Sequence, residues 1–385
     1  MTPPRRVLVS IGVLVLTLLA ILVVSWTLET KKLSDALVAD IDAWQARVIV
    51  RDPQLQSHRH DNGYACIAAA LKVAPKDLGP FEPKNLAAIN EVMDGGVVPA
   101  DWETKLTELE PWAASLRACG DSARLSFVPG VSTFSIEPPG TRRVLALTLE
   151  RMISLKARLR PVDGTWDTIA EHCAGTLEVG LDRSHLNLIG AMMASGGVRA
   201  LAPPCGRALQ HLSPDARAAL APRFARFPSR LAQNHEWLEA ERLLLSLNVF
   251  GWMLSDAQKT KVPPAEVPLE ASIKNPFLRF AYGRSWGRWD RAMRELVAVC
   301  DAPGPARLAA SASVDTATSP WWLPSTSDSG PNYERFMKRT DDTRVLLQLL
   351  ADLAAEEAKP LPQTTRRATG ITFTDSNGEP LFIPF

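Results

Sequence analysis

The sequence predicts a mostly α-helical protein: an N-terminal transmembrane helix, then an irregular array of helical hairpins, with a small β element near residues 124–136 and the C-terminus. Three observations carry this. Residues 7–28 are an apolar run without a charge, interrupted only by Ser10, Thr17, Ser25 and Thr27. Most of the remainder repeats apolar residues at helical spacing between Pro- and Gly-marked breaks. Only residues 124–139 and 370–384 have a β-prone, turn-broken texture.

At about 1.5 Å per residue, some 20 apolar residues cross roughly 30 Å of hydrocarbon, so residues 7–28 are expected to contact the lipid bilayer as a span. A cleaved signal peptide is the alternative, because Arg5 and Arg6 supply a basic start. Its apolar core is usually only about 7–15 residues, however, and the exit Val24-Ser25-Trp26-Thr27-Leu28-Glu29 has no Ala-x-Ala-like site. An uncleaved signal anchor is the reading adopted. Arg5, Arg6 and the terminal amine precede the span, against Lys31 and Lys32 after it, beside Glu29 and Asp35. The positive-inside rule then keeps residues 1–6 cytoplasmic and exports the body, into the periplasm of a bacterial cell, from an inner-membrane anchor.

Five cysteines are present, Cys66, Cys119, Cys173, Cys205 and Cys300. In an oxidising compartment Cys66–Cys119 and Cys173–Cys205 are the expected pairings, leaving Cys300 over; otherwise all five serve as small buried hydrophobes. A formal net charge of +1 gives no basic footprint for nucleic acid, and no phosphate-cradling glycine motif suggests a nucleotide.

The body divides by its breaks into a membrane-proximal helical subdomain (29–123), a β-prone connector (124–140), a helical-hairpin array (141–260) and a Pro-broken helical region with a closing hairpin (261–385). Leu33, Leu37, Ile41, Trp44 and Val48 form one apolar face of the first helix, expected to dock on the body or, as an alternative, on a partner helix. Helices are predicted near 63–73, 85–93 and 100–118, then at 142–159, stopped by Pro161. The start Gly164-Thr165-Trp166-Asp167, followed by Ala170 and Cys173, resembles locally the second helix of a tetratricopeptide-type hairpin, but no 34-residue repeat supports an array. Further helices are placed at 185–202, 214–226 and 235–254, with Ser213-Pro214-Asp215 as a cap and first turn. Another runs over 276–300, an irregular loop over 301–331, and a long helix over 332–358. Asp375-Ser376-Asn377-Gly378 turns a hairpin, whose tail (Leu381, Phe382, Ile383, Phe385) is expected to add an edge strand to residues 126–136.

The cadence of residues 143–193, the Asn275-Pro276 restart and the final helix-plus-hairpin resembles uncharacterised single-pass, membrane-anchored helical proteins of bacteria. The resemblance implies an anchor and a helical body, and no activity.

Chemical motifs are sparse. His58-Arg59-His60-Asp61 lacks the three or four convergent ligands of a metal site, and His235-Glu236 has Glu239 where a zincin needs histidine. Gly130-Val131-Ser132-Thr133-Phe134 lacks the last glycine of a nucleophile elbow. No catalytic residue, metal or cofactor is therefore expected. The interaction candidates are Arg284, Trp286, Arg288, Trp289 and Arg291, together with the loop pair Trp321-Trp322. Tyr282, Trp286, Trp289, Met293 and Leu296 line one side of their helix, with the arginines beside them. Such a face suits a protein hot spot, an anionic membrane surface or a glycan, or else it is simply core with arginines snorkelling at its rim. The functional expectation is a non-catalytic, membrane-tethered scaffold binding a cell-envelope protein. The rival is a cell-wall hydrolase using convergent carboxylates such as Glu236 or Glu239.

Overall fold

The computed structural model describes residues 3–51, 66, 69–70, 73–82, 85–93, 96–121, 139–159, 165–182, 188–250, 276–317, 332–356 and 361–384. Expectations for His58–Asp61, for the β-prone segment 126–136 and for Trp321-Trp322 lie outside these residues. The first helix, α1 (Pro3–Arg51), is 49 residues long, about 73 Å at the α-helical rise. From Ile11 to Leu28 its large apolar side chains stand exposed, which makes the helix long and apolar enough to cross a membrane. Farther along, Leu37, Ile41 and Trp44 are buried. One uninterrupted helix thus changes from a lipid-compatible surface to a core-forming face.

A series of packed helices follows. A 3₁₀ turn at Gly79–Phe81 leads to α2 (Leu86–Met93) and α3 (Ala100–Arg117), and then α4 (Pro139–Arg158) begins. Phe81, Ile89, Leu109, Leu116 and Met152 are among the residues closing a first core between them. The helical succession continues with α5 (Thr165–Asp182), α6 (Leu188–Gln210), α7 (Pro214–Phe224) and the single turn α8 (Phe227–Arg230). Ser213 caps α7, accepting from the Ala216 N–H at 3.3 Å, as its sequence implies. Helix α6 is central: it packs on α4, α5, the later long helix α12 (Tyr333–Ala354) and a C-terminal strand. It runs eight residues past the predicted stop at residue 202, through Pro203 and Pro204. Each proline removes one N–H donor, but Leu201, Ala202, Cys205, Ala208 and Leu209 are all essentially buried, so burial on several sides outweighs the lost bonds.

The remaining helices are α9 (Asn234–Phe250), α10 (Pro276–Val299) and α11 (Pro305–Ala317). Helix α11 corrects the expectation of an irregular loop over 301–331. Its Ala/Ser composition hides the helical signal, which lies in Arg307, Ser311 and Val314, buried at helical spacing. Asn332 caps α12 by accepting from the Arg335 N–H at 2.9 Å.

The C-terminus forms a three-stranded antiparallel sheet, β1 (Thr364–Arg367), β2 (Gly370–Thr374) and β3 (Pro380–Pro384), in the order β1-β2-β3. The hairpin at residues 375–378 is present, but its tail pairs with β2, Ile371 facing Ile383 and Phe373 facing Leu381. The expected partner segment 126–136 lies outside the described residues. A tight turn lets the tail satisfy its backbone locally without closing a long loop. Phe373 and Ile383 enter the main core with Leu350, Leu347 and Leu209. The cysteine pairs stand at disulfide distance, Cys66 with Cys119 (Cα–Cα 5.7 Å) and Cys173 with Cys205 (5.8 Å), while Cys300 is free and buried.

Ile383 sits directly over Gly206 of α6, where an added Cβ would meet its Cγ2 at 2.3 Å. Replacing Gly206 with alanine should therefore push the sheet off α6 and cost about 1–3 kcal/mol. Thermal unfolding of the detergent-solubilised protein would record it as a lower midpoint, partly restored by adding Ile383→Ala.

Candidate functional site

The best-defined polar construction on the described surface lies where α1 meets α9 and α10. Leu37, Ile41 and Trp44 pack on Ala240, Leu243 and Leu244 of α9. Ala240 is fully buried, and its small side chain allows the close approach. Beside this apolar seam Arg242 is only 3% exposed. Its guanidinium donates to Asp40 Oδ2 at 3.0 Å and to Asp290 Oδ1 at 2.7 Å, with Glu239 at 3.9 Å. Arg294 closes the ring, donating to Asp290 Oδ2 at 2.8 Å and to both oxygens of Asp40. These hydrogen bonds and two carboxylates hold the Arg294 guanidinium more firmly protonated than usual, against the opposing effect of burial. A buried guanidinium is tolerated only when its donors meet charged acceptors, and here one acceptor comes from α1, the helix long and apolar enough to cross a membrane.

Along α10 the aromatic stripe divides. Trp289, Met293 and Leu296 are buried, with Trp289 5% exposed, and belong to a core shared with α6, α9, α11 and α12. Trp286 is half-buried and tilts against Trp289, ring centroids 4.3 Å apart. Arg288 and Arg291 are exposed. Arg284 belongs to the same helix, four residues before Arg288.

The carboxylates named from sequence sit on the first two turns of α9. Glu236 accepts from the Gln233 N–H at 2.9 Å at the start of α9, and Glu239 lies toward Arg242. Burial raises the carboxyls of Glu241, Asp315 and Asp341, Glu241 although it accepts from the Leu188 N–H at 3.2 Å and Asp341 although Arg307 opposes the shift. Tyr333, 2% exposed, feels the Glu241 and Asp315 carboxyls, and burial raises its phenol. Among the described residues no group of three or more His, Cys, Asp or Glu side chains is placed to hold a metal ion. A cavity of about 20 Å³ lies between α4, α5 and α6, lined by Glu150, Thr176, Ala194 and Gly197. It has room for a water rather than a substrate.

A second polar knot ties α3, α4 and α5. Glu110 accepts from Arg117 and Lys156, Lys156 Nζ lies 3.0 Å from His172 Nδ1, and His172 Nε2 lies 3.3 Å from Glu110. The geometry fits a neutral imidazole that accepts at Nδ1 and donates at Nε2. Burial, then the Arg117 and Lys156 charges, push the imidazole down to about 4, with Glu110 opposing. His172 is adjacent to Cys173 in sequence, but Cys173 is directed into the core beside Cys205, so the two form no nucleophilic pair.

Comparison with known proteins finds no matching family model, no matching curated protein and no matching solved structure.

Two outcomes follow from these networks. Arg242→Leu leaves Asp40 and Asp290 half-paired and should cost about 3–5 kcal/mol. Limited proteolysis of the solubilised protein should then cut α1 within residues 30–45, a region the parent protects. The His172 effect has a definite sign. Below 6.5 the unfolded chain takes up a proton that the folded chain refuses until about 4, so this contribution is intact above 6.5 and stability is lost as pH falls from 6.5 to 4. Chemical denaturation of His172→Gln across that window should show a shallower loss than the parent.

Proposed function

We propose that this protein is a non-catalytic, membrane-tethered interaction protein of the cell envelope, anchored in the inner membrane with its N-terminus cytoplasmic and its helical body in the periplasm. The observation that carries the reading is the continuity of α1. The helix that is apolar enough to span a membrane passes without a break into the seam and ion network that fix it to the body. A body so fixed stands at one height and orientation above the bilayer, which raises its effective concentration for envelope partners. A catalytic domain needs no such rigid mount. The exposed Arg288 and Arg291, beside the half-buried Trp286, offer a partner-binding face of the composition found at protein hot spots. The two cysteine pairs at disulfide distance favour the exported side.

Alkylation of the membrane-extracted, denatured protein tests the compartment. One free thiol before reduction and five after are expected; five throughout would overturn the exported topology. Photo-crosslinkers at positions 288 and 291 should capture one envelope protein in intact membranes. Arg288→Glu with Arg291→Glu should abolish capture while leaving the protein membrane-bound; capture that persists would remove the proposed face.

The rival, a cell-wall hydrolase, draws support from carboxyls that burial raises, Glu241 the first to test. The scaffold reading predicts a different outcome for Glu241→Gln. The unfolded Glu241 ionises near 4.5 and the folded one only at higher pH, so the folded state loses stability as pH rises between those values. The amide removes this penalty and keeps an acceptor for Leu188. Thermal unfolding at pH 7 should therefore show a stability equal to or above the parent. Loss of a measurable cell-wall-releasing activity with unchanged stability would instead favour the hydrolase.

A further inference from the structure

Helices α1 and α10 run in the same direction with a fixed register. Leu33 lies against Gly287, where an added Cβ would meet it at 3.7 Å, and Asp40 is bound by Arg294. Both pairs have the same offset, and each helix advances seven residues, about 10 Å, between them. A Cβ at Gly287 would sit in ordinary van der Waals contact with Leu33 at the membrane-side end of this contact.

Helix α10 does not begin there. It extends backwards from Gly287 to Pro276, eleven residues or about 16 Å toward the membrane-spanning end of α1. The exposed apolar run of α1 ends at Leu28, only five residues or about 7 Å below Leu33. Even if the helices diverge at a crossing angle of about 50°, the start of α10 advances about 10 Å along the α1 axis. The first turns of α10 therefore reach below the level at which the apolar span begins.

The sequence of those turns matches that position. Residues 276–283 read Pro-Phe-Leu-Arg-Phe-Ala-Tyr-Gly, with Arg279 the one charge, and then Arg284, Trp286, Arg288 and Arg291 follow. Apolar and aromatic residues dominate the deepest level, with Arg279 among them, and by the register above Arg284 and Arg288 bracket the level of Lys31 and Lys32, with Trp286 between them. An apolar and aromatic stretch followed by one of arginine and tryptophan is the composition of an interfacial segment. Leu22, Val23, Val24 and Leu28 of α1 remain exposed, so α10 does not cover the span there and a common lipid environment serves both.

We propose that the N-terminal turns of α10, residues 276–283, insert into the bilayer interface of the leaflet beneath the body as a second membrane-contacting element. The body is then held by a spanning helix and by an embedded helix end, joined through Asp40, Asp290 and their arginines. Two points of attachment suppress the tilting that a single-pass anchor allows. The inference rests on α1 spanning the bilayer.

The test uses the full-length protein with Cys300→Ser, its two cysteine pairs left oxidised, and one new cysteine at Leu19, Phe277, Phe280 or Arg291. Each is labelled with an NBD fluorophore and reconstituted into phosphatidylcholine/phosphatidylglycerol vesicles carrying acyl-chain nitroxide lipid. Labels at 277 and 280 should be quenched at least about twofold more than at 291, approaching the label at 19. If 19 is quenched and 277 and 280 match 291, the insertion is overturned while the anchor stands. If 19 is unquenched too, the anchor reading falls with it. Labels at Leu278→Cys and Ala281→Cys, on other sides of the same turns, repeat the measurement should one position disturb the fold, which helical circular dichroism reports.

Discussion

The structure depends on one buried cation. Arg242 is almost sealed from water within an apolar stretch of α9, and its charge must be met inside the protein. Asp290 comes from the neighbouring α10, but Asp40 comes from α1, the helix that also carries the exposed apolar run. The seam of Leu37, Ile41 and Trp44 supplies the hydrophobic drive for docking and would tolerate small slips. The paired carboxylates do not, because a shift of α1 by one residue swings Asp40 about 100° away. Burial supplies the drive and the ion ring supplies the register.

The same division of labour recurs deeper in the body. The main core forms around α6, α5 and α12, and buried ion pairs attach the layers at its edges. Arg307 joins α11 to α12 through Glu334 and Asp341, at 3.1 and 2.7 Å. Arg223 joins α7 to α5 through Glu178. Asp342 receives the Ser376 hydroxyl at 2.7 Å and Arg199 reaches Asp375 at 2.6 Å, so the small sheet is fastened from both α12 and α6. Strand β3 then has a fixed place over Gly206. The described helices leave little interior space, and their perturbed groups are explained by burial and by neighbours within the packing.

Much of the architecture was legible in the chain because its signals are local. The apolar run, the face from Leu37 to Trp44, the Ser213 cap and the turn at residues 375–378 each depend on residues within a few turns of one another. So does the position of α10, although its aromatic stripe did not reveal that Trp289 is core while Arg288 and Arg291 are surface. Helix α11 was missed because Ala and Ser carry almost no hydrophobic periodicity, and its buried Arg307 reads as a polar residue until Glu334 and Asp341 are brought to it. The passage of α6 through Pro203-Pro204 was hidden for the opposite reason, since a strong local stop signal was outweighed by burial.

The sequence by itself therefore determined most element types and the apolar helix that can span a membrane, since local pattern and residue chemistry suffice for these; it left the cysteines open between two pairings and five buried thiols, and the fold brings both pairs to disulfide distance. Tertiary structure alone decided that Asp40, Arg242, Asp290 and Arg294 form one ring, that β3 closes on β2 over Gly206, and that α10 runs parallel to α1. Those contacts join residues as many as 254 positions apart, and no local periodicity encodes which charge meets which across such a distance. Only the packing of the apolar faces brings them within reach.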